Sequence, residues 1–532
     1  MKKKNLIALL IILAACLGGL GELCGWLIPT ISWPFTVSRE LPFLAAPAEW
    51  APMLAVQGKV HWFGWAFMAF FLFVGLYLLL RRQSSLRLPP PMVRRWNRFR
   101  SIKRGYWSLL ALGGILCIAG MDQCLVGKRA LAVRYEGEWY FPAFCRHVMP
   151  GDVFGLSGND AIAEPDYRKL KASVGKPGAP TVVIMPPIPY SPTMDAAPFP
   201  TERLPIRGDK VCEPGGNLPY NGLACRLYPD GEIHMRLRYR QGVLDGHVQG
   251  WNEERREVYS AVYRKGKLQS ERYRGEGSVK DFLAKTKAHV ISLVHYHPAP
   301  PLTGGHLLGT NSQGSDIAAY LFGGLQVNIK AALFYLPVIY AIGLTLGMLM
   351  GYFGGKFDLF TQRVIEIISQ LPFLFVVMIL SDLMPLELRG MFLILSLLAM
   401  FGWMHMTYII RTATMKEKSR DYVAAARVMG AGPIHLLTVH ILPNLLGIIV
   451  TLLPFSIAAV ILSLASLDYM GFGLPDTYAS WGRLLNDGLS KLSSPWMVSA
   501  AFLSLVITLM IVTFIGEAVR ESVDPRRHTY YE

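Results

Sequence analysis

The 532 residues are 52% hydrophobic and carry a formal net charge of +16. Eight apolar runs are each close to the ~20 residues that a helix needs to cross a bilayer, which excludes a wholly soluble chain. Basic residues border these runs, as is typical of the cytoplasmic flanks of membrane spans. The positive charge is therefore explained by membrane topology and does not indicate nucleic acid as a partner.

The apolar runs predict an all-α polytopic membrane protein with about eight transmembrane helices. They are Leu6–Ile28, Trp62–Leu80, Tyr106–Leu125, Val327–Tyr352, Val364–Leu383, Met391–Ile410, Leu445–Leu467 and Trp496–Val519. The positive-inside rule places basic flanks such as residues 81–104 and 411–420 in the cytoplasm. An even number of spans then puts both termini in the cytoplasm and the long polar segment after the third span outside.

Residues 1–90 are predicted to form an extra transmembrane hairpin. Leu13-Ala14-Ala15-Cys16 resembles a lipoprotein cleavage box, but the apolar run continues to Ile28. We therefore favour an uncleaved membrane anchor over a lipidated Cys16. Residues 91–126 follow as a basic cytoplasmic lead and the first core span.

Residues 127–315 are predicted to be a β-rich insertion on the outer side of the membrane. Its stretch from about 177 to 205 is rich in proline, which predicts an extended linker. Between about 226 and 275, "RYRQGVLDG" and "VYRKGKLQS" place Tyr239 and Gly242 in the same pattern as Tyr263 and Gly266. This pattern predicts glycine-turned hairpins and resembles the MORN-type repeats of the YwqK antitoxin-like family, with a generic β-rich insertion as the alternative.

Two cysteines of this insertion bracket a turn-rich loop. Cys212 and Cys225 lie on either side of "EPGGNLPYNGLA", and an oxidising compartment would allow a disulfide between them. The sequence leaves open whether they pair or stay free.

No motif supports catalysis by this chain. Candidate stretches fail the spacing of a phosphate-binding P-loop, so ATP is not expected to be hydrolysed here. His295, His297 and His306 lie close together in sequence, but no carboxylate or cysteine beside them completes a metal-ligand set. We predict a protein that is not an enzyme and that holds no metal.

Residues 416–444 are too polar to lie in lipid and are patterned as two short helices. Asp421–Met429 has an acidic first turn, which suits a helix N-terminus. Gly430 suits the left-handed end of that helix, and Gly432-Pro433 suits the start of another. The second helix is predicted to present Ile434, Leu437 and Ile441 on one face and to end before Pro443.

This hairpin carries a family resemblance. "AAARVMG" followed by "HILPN" resembles the EAA loop of ABC-importer permeases, in which Ala425, Ala426, Gly430, Leu442 and Pro443 match. Ala424 stands where that loop has its glutamate. The resemblance therefore implies that the loop contacts an ATPase either with Asp421 in place of that glutamate or by packing alone.

Other stretches resemble the oligopeptide/dipeptide permeases of ABC transporters. They are "HLLGTNSQGSDIAAYLFGG", with Asn311 and Ser315 in place of the usual Asp and Arg, "GYFGGKFDLFTQRVIEIISQLP", "SLDYMGFGLP" and "GEAVRESVDPRR". "RGYWSLLALGGI" and "VRYEGEWYFPAF" are closest to the Yej-type (microcin C/oligopeptide) permeases. Together these stretches lie within about Val93–Gly155 and His306–Arg527.

The resemblance implies a type I ABC importer permease core, with five transmembrane helices in residues 316–532. It implies import of peptides or peptide-like compounds across the bacterial inner membrane. The implied partners are a second permease subunit, ATPase subunits that use ATP and Mg²⁺, a periplasmic substrate-binding protein and membrane lipid. No cofactor is expected in this chain itself.

Two other functions stay open at this stage. Permeases of the same family also transport nickel and other small solutes. Alternatively, the chain is an envelope scaffold or receptor that uses its periplasmic insertion.

Overall fold

The computed structural model describes residues 3–28, 31–40, 46–47, 59–80, 90–156, 159–175, 180–195, 201–213, 218–228, 233–252, 254, 256–275, 277–284, 292–385 and 390–523. The chain divides into two compact units. The first consists of Met1–Asp195, Ala319–Ser490 and Val498–Glu532, and the second of Ala196–Ala318 and Lys491–Met497.

The described residues are mostly helical. In chain order, the helices are α1 (Lys3–Cys24), α2 (Trp33–Glu40), α3 (Trp62–Leu80), α4 (Pro90–Ser101), α5 (Lys103–Gly120), α6 (Asn159–Ile162), α7 (Tyr167–Ala172), α8 (Val279–Ala284), α9 (Ile317–Phe353), α10 (Gly355–Ser369), α11 (Phe373–Leu383), α12 (Met391–Lys418), α13 (Asp421–Val428), α14 (Pro433–His435), α15 (Leu442–Tyr469), α16 (Trp481–Ser490) and α17 (Pro495–Val523). A π-helical stretch, Leu436–Ile441, joins α14 to α15.

Five helices are long and apolar enough to span a membrane: α3, α9, α12, the continuous helix Pro433–Tyr469, and α17. Two bent pairs, α4 with α5 and α10 with α11, raise the number to seven if each pair is one span. A shorter apolar stretch, Ala8–Cys24, lies in α1. The described residues thus form a mostly helical membrane protein with five to seven spans, and the predicted number of eight is not confirmed.

The predicted span Val364–Leu383 is not one straight helix. α10 and α11 are bent by 73° relative to each other, and Pro372 is the N-cap residue of α11. Proline has no N–H to donate and disfavours helical backbone in the residue before it, which here is Leu371. The apolar stretch is long enough for one span, but proline interrupts it.

Three glycines of α9, spaced four residues apart, allow it to pack closely on α12. They are Gly343, Gly347 and Gly351. A Cβ at Gly347 would lie 2.8 Å from the Cβ of Ile410 and 2.8 Å from the carbonyl oxygen of Thr407. Small residues at this spacing bring the backbones of two membrane helices together. The helices therefore meet at a distance that only glycine allows.

The buried core of the first unit lies where α9, α12 and α15 meet. It includes Ala331, Tyr335, Ile339, Ile394, Leu398, Ile410, Leu445, Val460 and Leu464. The segment between α12 and α15 adds Val423, Ala426, Leu436, Leu437 and Ile441 to the same cluster. The predicted hairpin is therefore packed onto the spanning helices.

The N-terminal helices α1 and α3 pack against each other through small residues. A Cβ at Gly75 would lie 2.6 Å from Ile12. Near the end of α1, the Glu22 side chain is only 1% exposed and accepts hydrogen bonds from Arg39 at 2.6 and 2.8 Å. The Arg146 guanidinium donates to the same carboxylate. Two guanidinium groups thus neutralise one buried acid.

The strands, in chain order, are β1 (Ala46–Pro47), β2 (Lys59–Val60), β3 (Ala132–Tyr135), β4 (Glu138–Tyr140), β5 (Val182–Ile184), β6 (Thr201–Arg203), β7 (Ile206–Arg207), β8 (Lys210–Val211), β9 (Gly222–Leu227), β10 (Ile233–Arg240), β11 (Val243–Leu244), β12 (Gly246–Trp251), β13 (Glu257–Arg264), β14 (Lys267–Tyr273) and β15 (Ser292–Val294). In the first unit, β3 pairs antiparallel with both β4 and β5. Part of the predicted proline-rich linker, β5, is therefore a strand, in keeping with its Val-Val-Ile sequence.

The second unit is built on an eight-stranded sheet with the order β14-β13-β12-β10-β9-β15-β6, in which β11 pairs with β10. Both repeats form hairpins. The turn between β10 and β11 has φ of 52° at Gln241 and 78° at Gly242, and the turn between β13 and β14 has 48° at Lys265 and 79° at Gly266. Positive φ at both positions matches the twist of the strands, and glycine adopts it without strain. The resemblance to MORN-type repeats stays a prediction.

Cys212 and Cys225 are both buried free thiols in this unit. Burial raises the pKa of the Cys225 thiol to about 11. The disulfide between these two cysteines stays a prediction.

Candidate functional site

The segment between α12 and α15 forms the turn that its sequence predicts. α13 ends in a left-handed turn, with φ of +88° at Gly430. The Gly430 N–H donates to the carbonyl of Arg427 at 3.0 Å, and the Ala431 N–H donates to that of Ala426 at 3.1 Å. These two bonds are the Schellman pattern, which satisfies the last carbonyl groups of the helix. Pro433 then begins α14, as its missing N–H allows.

The prediction that the second helix ends before Pro443 is wrong. The helix continues through Leu436–Ile441, a π stretch, into α15. A π turn removes the clash between a proline ring and the carbonyl of the preceding turn, so the helix passes Pro443 without ending. The Thr438 hydroxyl donates to the Ile434 carbonyl at 2.8 Å, and the Asn444 side-chain amide donates to the His440 carbonyl at 2.7 Å.

The π stretch also separates the predicted face of Ile434, Leu437 and Ile441. Leu437 and Ile441 are buried in the core, whereas Ile434 is 78% exposed. A π turn holds more residues than an α turn, so residues after it are rotated relative to those before it. The expected shared face therefore does not form.

α13 has one face toward the core and another toward solvent. Val423 and Ala426 are buried, at 0% and 3% exposure. Ala424 and Ala425 are exposed, as is Asp421 at the first turn. The two alanines that match the EAA loop therefore differ: Ala426 packs against the core, whereas Ala425 faces solvent. Gly430 and Pro443 are exposed, and Leu442 is partly buried.

The end of the hairpin exposes apolar side chains that sequence reasoning missed. Val428 is 89% exposed, Met429 is 81% exposed and Ile434 is 78% exposed. We call these three residues the apolar tip. They flank the Gly430 turn. In the sequence, the only indication of their exposure was that three large apolar residues border a turn between two helices. Apolar side chains that project from such a turn are a feature of surfaces that bind another protein.

Polar contacts fix the hairpin to the neighbouring helices. The Tyr422 hydroxyl donates to Glu417 Oε2 at 2.7 Å and accepts from the Asn444 side-chain amide at 2.9 Å. Partial burial and the hydrogen bond to the Glu417 carboxylate raise the pKa of Tyr422. One phenol therefore links the end of α12, the start of α13 and the start of α15.

A second link joins the hairpin to α9. The Arg427 guanidinium lies 5.6 Å from the centre of the Tyr352 ring, and Lys418 Nζ lies 5.5 Å from it. The Lys418 ammonium also donates to the Tyr352 carbonyl. Both cations are attracted by the face of the ring. The hairpin thus contacts the ends of both α9 and α12.

We expect Tyr422→Phe to loosen the hairpin without unfolding the protein. The variant loses two hydrogen bonds, which lowers the free energy of local unfolding of the hairpin by about 1–2 kcal/mol. The population of the locally unfolded hairpin should therefore rise roughly five- to thirtyfold. Amide hydrogen exchange in Asp421–Val428 should accelerate by that factor. Tyr469→Phe, at a 40% exposed tyrosine at the far end of α15, is the control. Equal exchange in the two variants would contradict the role of the Tyr422 hydroxyl.

Charged residues of the spanning region form structural contacts. Arg363 and Glu366 pair at 2.6 Å on the exposed face of α10. The Arg411 guanidinium makes a bidentate contact with Asp358 at 2.5 and 2.6 Å, which sequence reasoning missed. This pair joins α12 to α10.

Asp468 organises the turn after α15. Its side chain is 2% exposed and accepts hydrogen bonds from the Leu474 N–H at 2.6 Å and the Ser480 hydroxyl at 2.5 Å. A Cβ at Gly473 would lie 1.9 Å from Asp468 Oδ1. The "MGFGLP" turn therefore needs a glycine where the backbone wraps around the carboxylate.

The histidines singled out from sequence have other partners. His306 Nδ1 lies 2.8 Å from Asp316 Oδ2 in a buried pair, and His297 Nδ1 lies 2.8 Å from the Thr310 hydroxyl. Asn311 Oδ1 accepts from the Ser315 N–H at 2.8 Å and thereby shapes the same loop. Over the described part of the chain, no three His, Cys, Asp or Glu residues group as metal ligands.

Comparison with known proteins decides the family. The model of the family described as "Binding-protein-dependent transport system inner membrane component" matches residues 343–529, which include the hairpin. The oligopeptide transport system permease protein OppC of Haemophilus influenzae is 31% identical over 229 residues, which are 43% of this chain and 73% of that protein. The chain belongs to the oligopeptide and Yej-type permeases of ABC transporters.

Two longer matches extend this result. The inner membrane ABC transporter permease protein YejE of Escherichia coli (strain K12) is 28% identical over 441 residues, 83% of this chain and 99% of that protein. The peptidoglycan transport system permease protein YejE of Agrobacterium fabrum is 26% identical over 442 residues, 82% of this chain and 94% of that protein. The likeness thus extends beyond the ranges 93–155 and 306–527 that the motifs indicated.

Membership of the family has direct consequences. The permease is a multi-pass inner-membrane protein of an ABC transporter. As a binding-protein-dependent transport component, it works with an ATPase and a substrate-binding protein.

Proposed function

We propose that this permease translocates peptides or peptide-like compounds inward and that its hairpin, Asp421–Pro443, receives the movement of the ATPase. The apolar tip carries the proposal, because it projects three large apolar side chains from a hairpin that is itself packed onto the core. The names of the matched relatives, which include oligopeptide and peptidoglycan transport systems, support a peptide-like substrate.

The contacts of the hairpin supply a route for the movement. Its second half continues without a break into α15, and the helix Pro433–Tyr469 is long enough to cross the membrane. Its first half contacts Tyr352 at the end of α9 through Arg427. A displacement of the tip would therefore move two spanning helices as rigid bodies, and such rigid-body motion produces alternating access.

The contact with the ATPase rests on packing rather than on an ion pair at the usual glutamate position. Ala424 occupies that position and is exposed, and Asp421 lies one turn earlier. The small exposed side chains of Ala424 and Ala425 let the ATPase approach α13 closely. Val428, Met429 and Ile434 then fill apolar depressions on the surface of the ATPase. ATP is hydrolysed on the partner, and this chain is not an enzyme.

The remaining assembly follows from the same proposal. A second permease subunit completes the translocation path, and a periplasmic protein delivers the substrate. Both termini and the hairpin face the cytoplasm, and residues 127–315 face the periplasm, because Arg411, Lys416, Lys418 and Arg420 directly precede the hairpin and basic flanks of spanning helices face the cytoplasm.

Gly430→Trp tests the coupling role. We expect uptake of a labelled oligopeptide to fall more than tenfold at unchanged protein abundance. A Cβ at Gly430 meets no atom within 4 Å, so the core is not disturbed. The left-handed backbone costs an L-residue about 1–2 kcal/mol, which distorts the turn that carries the apolar tip.

A matched variant separates strain from coupling. Gly175 also has left-handed φ, +92°, and a Cβ there meets no atom within 4 Å, but it lies outside the hairpin. Gly175→Trp should therefore leave uptake near the wild-type rate. Normal uptake by Gly430→Trp at normal abundance would refute the coupling role.

A further inference from the structure

A cavity of about 650 Å³ lies in the first unit, where the segment after α1 meets α5 and α9. Its apolar walls include Ile28, Leu116, Ile329 and Leu333. Leu116 is 46% exposed and Leu333 is 58% exposed, so the apolar wall continues out of the cavity along the spanning helices. The permease function proposed above does not use this space.

The cavity lies away from the core of the permease. Gln326, Ile329, Lys330 and Leu333 follow helical spacing and line it from one side of α9. Residues on the other side of α9, such as Ala331, pack into the buried core instead. The cavity therefore lies between the core helices and the N-terminal part of the chain.

Four cationic side chains line the cavity: Arg39, Arg129, Arg146 and Lys330. Three carboxylates accompany them. Glu22 binds Arg39 and Arg146, and Glu164 accepts from Arg129 at 2.5 Å. Asp122 Oδ1 accepts a hydrogen bond from the Gln326 side chain at 2.9 Å. Lys128 also pairs with Glu164, at 3.9 Å, so five cations accompany three carboxylates and the site has an excess of positive charge.

Two donor groups of the cavity have no hydrogen-bond partner within the described part of the chain, which indicates an anionic ligand. The Arg146 side chain is only 10% exposed, and its Nε has no hydrogen-bond partner. Among the described residues, the Lys330 ammonium has no ion-pair or hydrogen-bond partner either. A buried guanidinium N–H without a partner costs free energy comparable to a lost hydrogen bond. A ligand oxygen that accepts from these groups would remove that cost.

We propose that this cavity binds an anionic phospholipid of the membrane. The phosphate lies among Arg146, Arg39 and Lys330, and an acyl chain follows Leu116, Ile329 and Leu333 outward. The chemistry shared with a soluble phosphate is recognition of a phosphate oxyanion by three cationic donors whose charges the Glu22 carboxylate offsets only in part. The apolar, outward-open wall favours a lipid over the soluble ion. In the orientation proposed above, the lipid belongs to the periplasmic leaflet.

The test measures lipid retained by the purified full-length chain. Phosphatidylglycerol and phosphatidylethanolamine with identical acyl chains are added in equal amounts in detergent, and bound lipid is counted by native mass spectrometry. One lysine near a membrane surface increases the affinity for an anionic lipid about fivefold. We expect the wild type to prefer phosphatidylglycerol by at least that factor and Lys330→Met to lose the preference. Lys330→Met replaces an unpaired ammonium by an apolar chain of similar length, so folding is not at risk.

Two further variants and a soluble competitor complete the test. Lys356→Met, at an exposed lysine outside the cavity, should keep the preference. Leu333→Trp should lower retention of both lipids, because the ring narrows the path of the acyl chain. Millimolar glycerol phosphate should displace nothing. Displacement by glycerol phosphate, or an equal preference in wild type and Lys330→Met, would overturn the proposal of a lipid site.

Discussion

Val428→Asp is expected to weaken binding of the ATPase by roughly thirtyfold or more and to abolish uptake. The substitution places a carboxylate at the centre of the apolar tip, where the partner would have to desolvate it. Central residues of protein interfaces contribute about 2 kcal/mol or more, which corresponds to that factor. Because Val428 is 89% exposed in the isolated chain, folding and abundance should not change.

The measurement is the dissociation constant of the purified ATPase from the permease, together with uptake of labelled peptide. Val93→Asp, the same substitution at an exposed valine of α4, is the matched control and should bind the ATPase like the wild type. An unchanged dissociation constant for Val428→Asp would show that the apolar tip is not the docking surface.

Gly347→Leu is expected to prevent accumulation of folded permease. A Cβ alone would lie 2.8 Å from the Thr407 carbonyl oxygen, which belongs to the α12 backbone and cannot move aside. Overpacking of a dense core costs about 1–3 kcal/mol even for smaller insertions, and 1–2 kcal/mol already changes abundance several-fold in cells. We expect membrane abundance to fall more than tenfold.

Gly113→Leu is the matched control for that result. Gly113 lies in α5, and a Cβ there meets no atom within 4 Å. Quantitative blotting of membranes from cells that express each variant compares the two. Equal abundance would contradict the close packing of α9 on α12.

Local features of this protein could be predicted from its sequence. Apolar length indicates the spanning helices, and Gly430 and Gly242 were recognisable as turns because only glycine accepts left-handed backbone without cost. The family could be recognised because its motifs depend on residue type and spacing alone. Apolar length, glycine turns and motif spacing are each properties of a single segment and do not depend on its neighbours in the fold.

Other features depend on what lies opposite each segment. The π stretch before Pro443 and the bend at Pro372 look alike in sequence, since each is a proline in an apolar run. In the first case, the π stretch Leu436–Ile441 precedes the proline and the helix continues. In the second, the helix is broken. The difference is the backbone geometry before each proline, which an apolar pattern does not encode.

The exposed and buried faces of the hairpin were decided by tertiary structure as well. Ala425 and Ala426 are identical in sequence, yet one faces solvent and the other the core, because α12 and α15 cover only one side of α13. The sequence by itself determined most of the spanning helices, the glycine turns and the family to which the chain belongs. Only the packing of α9, α12 and α15 decided which side chains remain free to meet a partner, since burial is a property of the assembled helices and not of any one of them.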